Sequence, residues 1–127
     1  MDLLETLTEQ LNHHQYIIDY CKNNGREPLP TSVMLRRRYF CELTLLRYII
    51  KKDYKNSKVW LDKLKGYCME FIDFMEENVE KTDLITISTD KQSYKTEKAG
   101  ENIYLTHCNE VKEAVEFFDN LVSMLEN

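Results

Sequence analysis

The sequence predicts an all-α fold, an antiparallel four-helix bundle, and three observations carry that expectation. Apolar residues return three and four apart through four long stretches, the spacing of helices that bury one side. Only two prolines and three glycines occur in 127 residues, and both prolines sit together in GREPLP, so long elements run uninterrupted. Four such helices bury their seams best against one another, and short links favour antiparallel neighbours. Helices of about 23 residues give a bundle about 35 Å long. The length suits one domain over residues 1–127, with a core that needs neither disulfides nor metals.

The first helix is expected from about Leu3 to Asn24. Asp2 and Glu5 have capping-box spacing, and Gly25 stands where a left-handed C′ residue is wanted. Its seam is Leu4, Leu7, Leu11, His14, Ile18 and Cys21, in which His14 reads as a hydrogen-bonded core histidine. Thr31 or Ser32 is expected to cap the second helix after the stiff GREPLP link. Leu35, Tyr39, Leu43, Leu46 and Ile50 form its seam, within about 80° of arc. The seam shifts register near Asn56 and Ser57, which places the next break there.

The third helix, about Lys58 to Glu80, uses Leu61, Leu64, Cys68, Phe71 and Met75, with Trp60, Tyr67 and Phe74 widening the arc toward a second neighbour. Gly66 in its interior suggests a close helix crossing. Residues 82–100 break the pattern. Ile85 and Ile87 alternate with threonine and serine, but no Asn-Gly or Asp-Gly turn follows, so this reads as an irregular excursion able to hold a weak hairpin. The last helix, about Asn102 to Leu125, has the cleanest seam: Tyr104, Cys108, Val111, Val115, Phe118, Val122 and Leu125.

Charge is unevenly spread. From Val33 to Lys55 the chain carries Arg36, Arg37, Arg38, Arg47, Lys51, Lys52 and Lys55 against Glu42 and Asp53, a local +5 in a chain of −5, which leaves −10 elsewhere. This argues against wholesale coating of nucleic acid, while a local basic face survives the objection. Arg36–Arg38 are expected in the first turns of a helix, where the macrodipole disfavours cations by about 0.3–1 kcal/mol each. Their counter-charge comes either from the acidic residues of the third and fourth helices, within the molecule or in a dimer mate, or from a phosphate-bearing or acidic macromolecule, and internal pairing is narrowly favoured.

No apolar run approaches the eighteen or so residues of a membrane span, and MDLLETLTEQL lacks the basic n-region of a secretory signal. Cys21, Cys41, Cys68 and Cys108 are dispersed and form no CxxC pair, which suits reduced thiols in a cytoplasmic protein. The chain contains no Walker loop, GxGxxG, HExxH or EF-hand loop, and no glutamate lies three residues before His13, His14 or His107, as a di-iron bundle requires. Cys21, Cys108 and His107 fall short of a tetrahedral zinc set, with His107 expected at the surface. No metal or cofactor is therefore expected.

The run Glu101-Asn102-Ile103-Tyr104-Leu105-Thr106-His107, leading into an amphipathic helix, resembles the HEPN family of small helical bundles. That family's signature is an arginine, commonly followed by a polar residue, with a histidine four to six positions beyond. Asn102 and His107 match, whereas Glu101 stands where its ribonucleases carry the arginine. The resemblance covers about a fifth of the chain. It implies an RNA-cutting bundle that has lost a catalytic side chain, and hence a binding role.

Tyr16 and Tyr20 are expected at about 160° and 200° from the first seam, and Phe117 and Met124 off the last seam. Aromatic groups outside a seam have the composition of contact surfaces. The function expected is a small non-catalytic binding or regulatory protein: an inhibitor, immunity-type neutraliser or adaptor working through protein contacts, with a homo-oligomer as one form of such contact. The alternative is a nucleic-acid-binding helical module using the basic second helix, of which a degenerate HEPN-like bundle is one version. An enzyme hidden in the bundle ranks third.

Overall fold

The computed structural model describes residues 2–28, 30–78, 83–87, 94–98 and 101–126. Four helices follow in order: α1 (Leu3–Asn23), α2 (Pro30–Ile50), α3 (Tyr54–Asn78) and α4 (Glu101–Glu126). Two short strands, β1 (Asp83–Ile87) and β2 (Tyr94–Lys98), lie between α3 and α4 and pair antiparallel, with Ile85 opposite Thr96. The alternation at Ile85 and Ile87 thus does make a strand, and its partner is the second half of the excursion. Residues 88–93, where a turn would be sought, lie outside the described residues.

The ends of α1 are built as its sequence dictates. Asp2 Oδ1 accepts from the Glu5 N–H at 2.8 Å, one half of a capping box. At the other end Gly25 adopts φ +68°, Gly25 N–H donates to the Lys22 carbonyl and Arg26 N–H to that of Cys21. Those two bonds are the Schellman pair, and the left-handed residue between them is why glycine is needed.

The start of α2 and the α2–α3 break differ from expectation. Pro30 opens α2 at its first helical position, where a missing N–H costs nothing, so Thr31 and Ser32 lie inside the helix and are buried rather than capping it. The break falls at Lys51–Asp53, about four residues before the predicted Asn56–Ser57. Lys52 turns left-handed at φ 58°, and Asp53 restarts the helix by accepting from Asn56 N–H at 3.1 Å and Asn56 Nδ2 at 2.7 Å. An Asp cap that also binds a side chain replaces the glycine or proline that would have marked the joint.

Consecutive helices pack on one another, α1 on α2, α2 on α3 and α3 on α4, with a lighter α2–α4 contact. Side-chain pairs fix the directions. His14 meets Tyr39, Phe40 meets Trp60 and Phe71 meets His107, so each helix runs against the one before it. The core follows most of the predicted seams on α3 and α4: Leu61, Leu64, Cys68, Phe71, Met75, Cys108, Val111, Phe118 and Val122 are buried, while Val115 and Leu125 are half-buried. The side chain of Tyr104, at the head of the last seam, lies outside the described residues. On α1, Leu4 is exposed and Ile17 takes a buried place instead.

Helix α2 departs most. Leu35, Leu43 and Leu46 are buried as expected, but so are Arg38, Cys41, Glu42 and Leu45, while Ile50 is 59% exposed. Three neighbours bury three flanks of this helix, whereas a single apolar seam anticipates one. Gly66 is exposed, and a Cβ built on it would meet nothing within 4 Å, so no close crossing uses it. No helix among the described residues is long and apolar enough to cross a membrane.

Candidate functional site

Successive helix residues point about 100° apart, so three arginines in a row must face three directions. On α2 those directions are three different neighbours. Arg36 Nε donates to Gln15 Oε1 of α1 at 2.7 Å, and its guanidinium lies 5.4 Å from the Phe40 ring centre. Arg37 Nη1 meets Glu70 Oε2 of α3 at 2.6 Å, both side chains being about half exposed. Arg38 turns inward: Nε donates to Glu42 Oε2 at 3.1 Å and Nη1 lies 3.5 Å from Glu110 Oε2 of α4. Because α2 already starts at Pro30, all three lie beyond its first turn, where the macrodipole penalty has faded.

Arg38 and Glu42 form a buried ion pair, with side chains 9% and 3% exposed. Burial works against the Arg38 charge, but Glu42 first, then Tyr39 and Glu110, outweigh it and keep the guanidinium charged. Burial pushes the Glu42 carboxyl above its ordinary range, and Arg38 only partly pulls it back. Arg38 also reaches Tyr39 Oη at 3.4 Å, and its guanidinium carbon lies 4.7 Å from that ring centre.

Two imidazoles flank this cluster. The His14 ring stacks on Tyr39 at 5.6 Å and 8°, and its buried Nδ1 has no hydrogen-bond partner among the described residues. The expected hydrogen-bonded core histidine is therefore a stacked one, at least at that nitrogen. Burial first, then the charges of His13, His107 and Arg38, lower its pKa to about 4. His107 is mostly buried rather than at the surface. It packs edge-on to Phe71, and its Nδ1 lies 3.9 Å from Glu110 Oε2, too far for a hydrogen bond. Burial lowers its pKa, Glu110 opposes and Arg38 adds.

The cluster floors an open cleft of about 440 Å³ between α2, α4 and the start of α1. Glu110 and Glu113 stand on its rim, and Leu3, Ala114, Phe117 and Phe118 wall it. Its charged lining is one guanidinium against three carboxylates, Glu42 included. The cleft exists because α4 packs on α3 and only lightly on α2, while α1 packs on α2, leaving the α1–α4 side of the bundle unclosed by helix packing among the described residues. Phe117, 47% exposed, and Met124, 71% exposed, lie seven residues apart and hence on one face of α4.

The remaining predicted cations lie away from the arginine triplet, toward the far end of α2 and the joint beyond it. Arg47 ends α2, Lys51 and Lys52 form the joint, and Lys55 belongs to the first turn of α3; all four are exposed. None makes an ion pair with a described residue, although Lys51 Nζ lies 6.0 Å from the Tyr48 ring centre. The basic helix of the sequence is thus two separate features, an internally engaged triplet and a solvated corner. Tyr16 and Tyr20 are half-buried, with ring centres 6.2 Å apart, so they are less outward than their angles implied.

Glu42, Glu110 and His14 were not foreseen as members of a site. A signal for the first did exist. Thr31, Leu35, Arg38, Glu42 and Leu45 recur three and four apart, and a charge pair within an otherwise buried stripe announces a polar core. Among the described residues no three of His, Cys, Asp and Glu come together as a metal set. The four cysteines are buried and none is in a disulfide, and burial pushes the Cys41 and Cys68 thiols up, away from the reactive thiolate. Comparison with protein-family models, with curated proteins and with solved structures finds no match, so the likeness of residues 101–107 to HEPN bundles rests on those residues alone.

Proposed function

We propose that the protein is a non-catalytic binding protein of the inhibitor, immunity-type or adaptor kind, and that it meets a protein partner along α4 at the open cleft. The observation that carries this reading is an apolar stripe left uncovered beside an open cleft. Phe117 lines the cleft at 47% exposure, and Met124 continues the same face at 71%. Preformed concave sites with a few placed polar groups are where ligands and partner side chains anchor. The acidic rim selects for a partner with cationic surroundings, because like charges there would repel.

The test is capture of the partner from the native lysate by the wild type and by Phe117→Ser/Met124→Ser. Both are off the dry core, so the variant should fold with an unchanged helical spectrum, while capture falls at least about tenfold. Equal capture by both proteins would place the contact elsewhere.

A second reading is favoured by a different observation. Arg47, Lys51, Lys52 and Lys55 form an exposed basic corner on an acidic body, which suits a phosphate backbone. Under that reading the arginine triplet contributes little, because its members are engaged within the bundle. Lys51→Glu/Lys52→Glu should then abolish salt-sensitive retention of nucleic acid, whereas Arg37→Gln should leave it almost intact.

A further inference from the structure

The α2–α3 corner and the α4 cleft have opposite charge and matching apolar character. At the corner Ile50 is 59% exposed, surrounded by Arg47, Lys51, Lys52 and Lys55. The one acid among them, Asp53, is committed to capping α3 through Asn56. The left-handed Lys52 and that cap fix the corner's shape, so little ordering is needed when it docks. The cleft offers the converse, apolar walls at Leu3 and Phe117 under the carboxylates of Glu110 and Glu113. Its own cation, Arg38, is already taken by Glu42 and Glu110.

Resting on the reading that the cleft is a protein-contact site, we infer that its occupant is the α2–α3 corner of a second copy of this chain. A molecule cannot insert its own corner. The corner lies about 18 Å along α2 from Arg38, twelve residues at 1.5 Å each, and both are held in packed helices. The same register suggests how two copies meet. Helix α1 runs against α2, with Gln15 at Arg36 and His14 at Tyr39, so Leu3 lies level with the last turn of α2. The Leu3 wall of the cleft therefore lies near the end of the bundle that carries the corner. A two-fold axis at that end lets each copy give its corner and receive the other's, a self-complementary contact that closes as a dimer. Ile50 and Phe117 leave water together, and the cations of each corner face the acids of the opposite cleft, where their attraction is less screened than on an open surface.

Sedimentation equilibrium on the full chain tests this with a charge exchange. The wild type should dimerise, and dissociation should become easier as salt rises. Lys51→Glu/Lys52→Glu and, separately, Glu113→Lys should each weaken the dimer by at least about tenfold, since each sets like charges against each other. The triple variant carrying all three changes should regain most of the lost affinity, because its charges are exchanged rather than merely removed. All three positions are exposed and take part in none of the ion pairs among the described residues, so unchanged helical spectra are expected. A monomeric wild type, a dimer indifferent to both single-sided variants, or a triple variant weaker than either would each overturn the inference. The reading beneath it fails separately. A monomeric wild type that still loses a foreign partner on Phe117→Ser/Met124→Ser keeps the contact site and removes the second copy, with a foreign basic segment as the occupant. A dimer that passes the charge exchange while no foreign partner depends on Phe117 keeps the second copy and removes the foreign partner.

Discussion

Helix α3 and helix α2 each bury a broad face, and the two faces have opposite chemistry. On α3, Leu61, Leu64, Phe71 and Met75 are completely buried, and what surrounds them is apolar. On α2, Arg38 and Glu42 sit among Leu35, Leu43 and Leu45 at 7% and 2% exposure. The first face contributes stability by removing apolar area from water, about 25 cal/mol for each Å². The second must recover the desolvation of two ions before it contributes anything. Conserving an apolar surface on α3 would therefore keep the bundle folded, whereas the polar centre of α2 adds little stability for its cost. Its position under the cleft gives it another use, presenting fixed charge to whatever enters.

The largest effects should come from breaking each face. Phe118→Ala, which empties a buried aromatic site facing the dry core, should cost about 3–5 kcal/mol by denaturant midpoint. Glu42→Ala should cost about 3 kcal/mol, because it leaves the buried guanidinium with only the half-exposed Glu110 at 3.5 Å. The two losses are then separated by a second change. Arg38→Met/Glu42→Leu should recover most of the Glu42→Ala loss, since an apolar pair of like volume removes the uncompensated charge. A double variant as unstable as the single one would mean that the pair holds the helices together through its geometry.

The pH dependence should come from the polar side. His14 has its folded pKa lowered from 6.5 to about 4, so the folded state resists the proton that the unfolded chain accepts. Stability should be flat above about pH 7 and decline as pH falls from about 6.5 toward 4. Allowing for partial solvent exposure, the loss should total about 2 kcal/mol. His107 is shifted in the same direction and adds to the slope. His14→Phe keeps an aromatic ring against Tyr39 and should remove much of the decline; an unchanged pH profile would locate the proton uptake elsewhere.

Smaller effects sharpen the contrast. Gly66→Ala on the exposed face of α3 should stabilise by about 0.4–1 kcal/mol, since the added Cβ meets nothing and the unfolded chain loses freedom. Arg37→Gln breaks an ion pair between two half-exposed side chains and should cost about 0.5 kcal/mol, shrinking further in high salt. A cost near that of Glu42→Ala would show that Arg37, despite its exposure, belongs to the polar centre.

Much of the bundle is legible in the residues themselves. The seams of α3 and α4, the Asp2 cap and the left-handed Gly25 need only local spacing and local hydrogen bonding, and each stands where the sequence puts it. The α2–α3 joint does not, because an Asp that caps through Asn56 leaves no glycine or proline to announce the stop. The direction of Arg36, Arg37 and Arg38 was open for a different reason. Their spacing guarantees that they diverge, but whether each meets an acid, an amide or water depends on which helix lies beside it. The same holds for the cleft. Amphipathic periodicity says that each helix must bury one face, and it is silent on whether α1 and α4 close the fourth side of the bundle. Only packing decided that α1 would stay with α2, that α4 would keep Phe117 and Met124 in water, and that Arg38 would end beneath the opening between them.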